Sequence, residues 1–544
     1  MNKKIKKIDL FFKMILIFFV FGLSCNHKDT GETTLMIALI NDIDSFNPIT
    51  STDVFTASIQ KLLFPALTNK KWIDSIGGIE YEPLVADRWD ISVDKKHITF
   101  YIKQNKYWED NNKISINDII YTYNIYANPI SAAPSGYLFE SIQQNGFKKI
   151  NDSIFSVTYN EYSNDPLAFS SLRFVQNNYF SSDIKALRED KRGYKPITCG
   201  PYRIEKWETN NQIILTRNEE YNLSSKPKME KIIFKVLPDY VSRLTALKAN
   251  EIDFMVGIRP EDAEGLKSEP NIGLINLSMS NYEFICWNNI DGQHYNSTGE
   301  IRPHRLFGNK NVRRALTMAI DRDEIIQACL GAYGEPCKSP ISPIFKNEYN
   351  SDLKAIPYDP LYASTILANE EGWLDHNQNG IIDKDGVEFS FTLAINSGNP
   401  RREYVANMIK TYLQKIGIEV KIEKLEWNIF DMKTMNRELD AFITGLSVSI
   451  DLDLYSLWYS DFSKAQMNDV GFQNERVDFL IDNINVSDKI EAITLYKEFQ
   501  EILHEEQPCT FLYWYSNIIG YNQRLKGVNP NILDFYNDIC NWSN

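Results

Sequence analysis

Two stretches of this sequence have residue types at spacings that could do chemistry. Asp375, Asn377 and Asn379 stand at positions 1, 3 and 5 of a twelve-residue calcium loop, with Gly380 at position 6, Ile382 at 8 and Asp383 at 9. Oxygen donors at alternate positions, followed by a glycine that turns the chain, suit a hard cation. Position 12, normally a bidentate Glu, is Gly386, so Asp385 or Glu388 would have to complete the shell. The same residues also make a plain polar hairpin, and both readings stay open. The second stretch, Ser92-Val93-Asp94-Lys95, has the Ser-x-x-Lys spacing of acylating serine enzymes, but it sits in an expected hairpin without the partner motifs such enzymes carry. His27, His97, His294, His304, His376 and His504 show no ligand-like spacing, and no HExxH, GxSxG or phosphate-binding loop occurs. These motifs predict no catalytic residue, and the one cofactor they leave open is calcium.

The first residues carry a different kind of chemistry. Lys3, Lys4, Lys6, Lys7 and Lys13 precede an unbroken apolar run from Met14 to Leu23. Ten residues are too few to span a bilayer, which takes about 20. A basic segment before a short apolar one is the pattern of an export signal. Ser24 and Cys25 follow, and a cysteine there resembles a bacterial lipoprotein cleavage site, with Gly22 in place of the usual aliphatic residue three positions before it. Residues 1–25 are thus expected to be a lipoprotein signal peptide acylated at Cys25, and 26–33 a tether. Six further cysteines allow fifteen pairings or none.

Around these sites stands a chain of 544 residues, 43% hydrophobic and 13% aromatic, enough for a core divided among several lobes. A net charge of −14 excludes a basic nucleic-acid face. Strand and helix signals alternate, which predicts an α/β fold. The clearest unit runs from Phe389 to Ile422. FSFTLAI reads as a strand. Tyr404, Val405, Met408, Ile409, Tyr412, Leu413 and Ile416 then form one apolar helical stripe. Gly417 fits a left-handed C-terminal cap, and Ile418, Val420 and Ile422 alternate as a half-buried strand does. TLMIAL (34–39), residues 96–102 and KIIFKVL (231–237) read as further strands. A helix is expected from Val241 to Ala249. Asp321 with Glu324 has capping-box spacing ahead of another helix, which Gly331 can end.

Several segments together resemble one family, the extracellular solute-binding proteins of peptide and nickel ABC importers (family 5). The block from Tyr81 to Tyr123 is similar to its opening phrases through Pro83, Leu84, Ala86, Trp89, Trp108 and Asp110. Cys199 to Tyr221 (CGPYRIEKW…LTRNEEY), KIIFKVLPDYVSRLTALKANEIDF, NVRRALTMAIDRDEII and LYWYSNIIGYNQRLKGV follow in the family's order.

The resemblance implies a periplasmic-binding-protein clamp (type II, cluster C-like) with two main α/β lobes and an extra domain. Lobe I would take 34–62, 196–278 and 512–544, lobe II 63–195, and lobe III 279–511. It implies a monomer held by lipid at the outer face of a bacterial membrane, on the periplasmic side, which passes a solute, expected to be a peptide, to ABC permease subunits. An oligosaccharide or a nickel chelate as ligand, or a sensing or chaperone role, are the alternatives. The family's peptide-anchoring phrase falls on SVSIDLDLYSL, where Val448 takes the place of the carboxylate that holds a free amine. Asp451 and Asp453 are the nearby acids that could substitute, or else cap a helix. The resemblance brings Trp287, Trp427, Trp458, Trp514 and Tyr515 near the cleft, bordered by the turn with Asp44, Ser45 and Asn47.

Overall fold

A long strand needs an uninterrupted series of extended residues, and two segments supply one: Ile272–Trp287 and Cys509–Asn522. They pair antiparallel along most of their length. In the computed structural model, which describes residues 33–544 apart from 52, 162, 164, 178, 181–183, 449 and 485, they form the middle of an 11-stranded sheet. The basic and apolar leader, Cys25 and the tether up to residue 32 lie outside the described residues. No helix among the described residues is long and apolar enough to cross a membrane.

On one side of the long pair lie Phe254–Ile258, Thr34–Leu39, Lys231–Val236, Gln212–Arg217 and Tyr202–Glu208. On the other lie Ala441–Ser447, Ser390–Asn396 and Glu419–Leu425, and the short strand Gly334–Pro336 pairs with Cys509–Asn522 off this path. The first group belongs to lobe I and the second to lobe III, so one sheet runs through both. The expected crossings near residues 279 and 511 both fall inside long strands. The pairing slips between Leu277 and Asn281, opposite Asn517 and Tyr515, and Met279 there has a left-handed backbone (φ 53°). The pairing slips again between Glu283 and Phe284, opposite Tyr513 and Phe511.

Lobe II is a separate four-stranded antiparallel sheet (Ala86–Ile91, His97–Ile102, Ile154–Tyr159, Ile142–Lys149) with the helix Ile116–Tyr126 and the ribbon Thr68–Ile73/Gly78–Pro83. Its core is continuous with that of lobe I: Phe100, Tyr123 and Phe155 belong to the same buried cluster as Leu35, Phe46 and Tyr202. Lobe III packs its own helices on both sheet faces. Lobes I and II therefore form one jaw and lobe III the other, as in a two-sided clamp.

The local readings find their elements. Ser390–Asn396, the helix Pro400–Gln414 and Glu419–Leu425 make the expected β-α-β unit, and Gly417 has φ 78°. Asp321 accepts from the Glu324 N–H at 2.9 Å, but the Glu324 carboxylate, rather than closing a capping box, takes the Tyr412 hydroxyl. Trp108 is buried and donates its indole N–H to Asp118 (3.3 Å), itself the partner of Ser115 at a helix start. That motif residue thus builds lobe II. The six described cysteines are free thiols.

Candidate ligand cleft

Strand direction locates the cleft. Thr34–Leu39 is parallel to Lys231–Val236 and Phe254–Ile258, and these head toward lobe III. Ser390–Asn396 is parallel to Glu419–Leu425 and Ala441–Ser447, and these head the opposite way. The C-terminal ends of both parallel sets therefore converge at the hinge. In open α/β sheets, ligands bind outside such ends, where loops and helix starts offer side chains without breaking the sheet. The loops involved follow Leu39, Ile258, Asn396, Leu425 and Ser447.

The jaws meet across this opening. The Tyr137 hydroxyl of lobe II donates to Asp451 Oδ2 of lobe III at 3.2 Å, and Lys70 Nζ lies 3.8 Å from Asp451 Oδ1. Beside them Trp72 packs edge-on against Phe345, with ring centroids 5.9 Å apart. Gly77 (φ 61°) approaches so closely that a Cβ would lie 2.0 Å from the Ile344 carbonyl oxygen. Lobes II and III thus touch on this side of the opening.

The aromatic candidates divide sharply. Trp427 begins the helix Trp427–Met435 beyond a strand end and is 51% exposed, with Ile429, Met432 and Met435 exposed near it. Tyr515 is part-buried at the hinge, under the Arg401 guanidinium (4.3 Å to the ring centroid). The other three are corrected to core positions. Trp287 is fully buried against Phe307 and donates to Thr510 Oγ1 at 2.9 Å. Trp458 and Trp514 are 3% and 1% exposed. Buried rings of this kind leave no face for a ligand.

The polar candidates divide too. Asp44 is exposed, but Ser45 and Asn47 are buried and bind their own turn. Ser45 Oγ accepts from the Asn47 N–H, Asn47 Oδ1 accepts from the Ile49 N–H, and Asn47 Nδ2 donates to the Leu187 carbonyl. They fasten the loop to lobe II. Asp453 accepts from the Tyr455 and Ser456 N–H groups and so caps the short helix Tyr455–Trp458. Asp451, the other acid, faces Lys70.

In the calcium-like turn, Asp375 accepts from the Asn379 and Gly380 N–H groups, Asn377 from Asn379 N–H, and Asn379 from Ile381 N–H. Asp383 takes the His376 N–H and ring nitrogen. These bonds order the hairpin. Among the described residues no group of three or more His, Cys, Asp or Glu side chains is placed to hold a metal ion.

One cluster has no counterpart in the sequence reading. Glu283, on the long strand of lobe III, is completely buried. It accepts from Arg401 Nη2 (3.1 Å), Arg402 Nε (3.0 Å) and the Tyr513 hydroxyl. Arg402 also donates to Asn396 Oδ1 at 2.7 Å. Burial alone would raise the Glu283 pKa; the two guanidiniums outweigh it and hold the carboxyl below its usual range. Two cations against one carboxylate leave a formal charge of +1 at the hinge. A Cβ on Gly445 would sit 2.7 Å from Glu283 Cγ, so the cluster also needs glycine there. A signal was present: two arginines in the first turn of a helix oppose its dipole, and they need a carboxylate from elsewhere.

With this geometry in hand, comparison with known proteins places the chain. Residues 80–469 match the bacterial extracellular solute-binding proteins, family 5. The chain belongs to that family. Its members bind solutes for transport. The oligopeptide-binding protein AppA of Bacillus subtilis is 28% identical over 501 residues, covering 91% of this chain and 88% of AppA. Heme-binding protein A of Haemophilus influenzae is 25% identical over 456 residues, covering 79% and 78%. Among solved structures, AppA in complex with a nonapeptide superposes with a TM-score of 0.75 at 27% identity, covering 94% of this chain and 98% of AppA. NikZ of Campylobacter jejuni in complex with Ni(L-His) gives 0.76 at 24% identity, covering 94% and 99%. The fold is the periplasmic-binding-protein clamp.

Proposed function

We propose that this chain is the lipid-anchored receptor of an ABC importer, that it captures a peptide in the cleft, and that it delivers it to a membrane permease. The likeness to an oligopeptide-binding protein along 91% of the chain supports the peptide class. The observation that carries the mode of binding is Arg401. Its guanidinium lies over Tyr515 at the hinge, in a cluster with one positive charge left over. A peptide's terminal carboxylate would supply the missing counter-charge. Trp427 and the exposed methionines beside it would give an adaptable apolar wall for side chains. Asp451 already faces Lys70 and Tyr137, so it serves the contact between the jaws rather than the ligand's amine.

Mass spectrometry of solute released from protein purified without denaturation tests this reading. Peptides are expected. A sugar or a metal chelate in their place ends the peptide assignment and leaves the importer-receptor class standing. The anchor is tested by labelling with a fatty-acid analogue: wild type should be marked and Cys25→Ser should not. Unlabelled wild type would contradict it.

A further inference from the structure

A second cavity lies beside the hinge, and Arg401, Trp427 and Tyr515 are not among its walls. It encloses about 740 Å³ and is walled by all three lobes: Arg173 and Trp72 from lobe II, Leu223 and Tyr536 from lobe I, Ile344 and Lys346 from lobe III. Three of its four lysines have ion-pair partners, Lys70 with Asp451 at 3.8 Å among them. Lys61 pairs with Asp534 at 2.9 Å, and Lys71 with Glu82 at 2.7 Å.

Arg173 and Lys346 have no ion-pair partner among the described residues, and of the two only Arg173 is buried. It is 9% exposed, and its one side-chain hydrogen bond within the described residues is a long one, from Nη2 to the Asn69 amide oxygen at 3.3 Å. No ion pair among the described residues includes it. The Tyr536 hydroxyl in the same wall is buried and also lacks a partner among them. Asp534 acts on its charge but is already paired with Lys61; a buried guanidinium without an ion pair of its own is costly, and a fork of N–H donors on a cavity wall suits a planar two-oxygen anion. The four acids already on the wall, Asp74, Glu82, Asp534 and Asp538, disfavour a doubly charged group such as phosphate. Leu62, Leu84, Leu223 and Ile344 offer apolar surface to the rest of the molecule.

We propose that this cavity, which adjoins the cleft through Lys70, Trp72 and Ile344, is a second ligand site, and that it takes a small organic monocarboxylate whose carboxylate pairs with Arg173. The test is calorimetry on the full chain with benzoate and inorganic phosphate as probes, comparing wild type, Arg173→Gln and Ile344→Trp. Ile344→Trp adds bulk to the wall that lobe III contributes. Benzoate should bind wild type at millimolar concentration or below and at least about ten-fold more weakly to each variant, while phosphate does not bind. No benzoate binding to wild type, equal binding to Arg173→Gln, or phosphate binding as tight as benzoate would each overturn the proposal. If Arg173→Gln does not fold, Ile344→Trp decides alone, and unchanged binding there overturns it.

Discussion

The ammonium of Lys70, on the ribbon of lobe II, stands 3.8 Å from the carboxylate of Asp451, on the loop that ends a lobe III strand. With the Tyr137 hydroxyl on the other oxygen of that carboxylate, it joins the two jaws across the opening of the cleft. A side chain the sequence offers as a ligand anchor is thereby a contact between lobes.

Asp451→Asn should therefore shift the clamp toward its open form. The pair is part-exposed, so it contributes ~0–1 kcal/mol, and a ligand that binds only the closed form should lose up to about five-fold in affinity. Calorimetry at low and high salt checks this: the difference between wild type and variant should shrink as salt rises. A variant with unchanged affinity and unchanged salt dependence would mean that the contact does not latch the jaws.

Glu283→Gln leaves Arg401 and Arg402 in the interior without a charge partner, and should cost ~3–5 kcal/mol of stability in denaturant unfolding. The sign of its pH dependence follows from its depressed pKa. The carboxyl contributes its stability above its unfolded pKa, near 4.3, and loses it as pH falls through the lower folded value. The acid limb of wild-type stability should therefore be steeper than that of the variant, and equal limbs would contradict the cluster.

Asp469 titrates in the opposite direction. Burial pushes its carboxyl up to about 7, and the nearby Arg437 only partly offsets that. One of its oxygens has no hydrogen-bond partner among the described residues. A raised acid is fully stabilising below its unfolded pKa, and that contribution is lost as pH rises through the folded value. Asp469→Asn should then raise stability by ~2 kcal/mol at pH 8 and change little at pH 4. Thermal unfolding at the two pH values reads this directly, and a loss of stability at pH 8 would contradict it.

The turn from Asp375 to Gly386 should not respond to calcium. A ligand that binds only the folded state raises the melting temperature, whereas the oxygens here already serve backbone N–H groups. Millimolar calcium should leave the melting temperature unchanged. A rise that Asp375→Ala removes would restore the ion-binding reading.

What the sequence made legible was local or periodic. The Phe389–Ile422 unit could be read because its helical stripe, its glycine cap and its alternating strand are all near-neighbour patterns. The motif order made the family legible for the same reason. The fate of the tryptophans was not, because Trp287 and Trp427 differ in which side of a distant element they meet, and no local spacing encodes that. Glu283 was missed because its partners lie 118 and 119 residues away. Arg173, with no ion pair among the described residues, likewise emerges only where three lobes meet.

The claim at the centre of this account is that the cleft holds a peptide by its carboxylate end and does not read its amine through Asp451. Calorimetry with one bound peptide in three forms, free, N-acetylated and C-amidated, tests it most directly. Acetylation should change affinity by less than about three-fold, whereas amidation should weaken it at least about ten-fold, a loss that Arg401→Met reproduces for the free form. Binding abolished by acetylation and indifferent to amidation would contradict it.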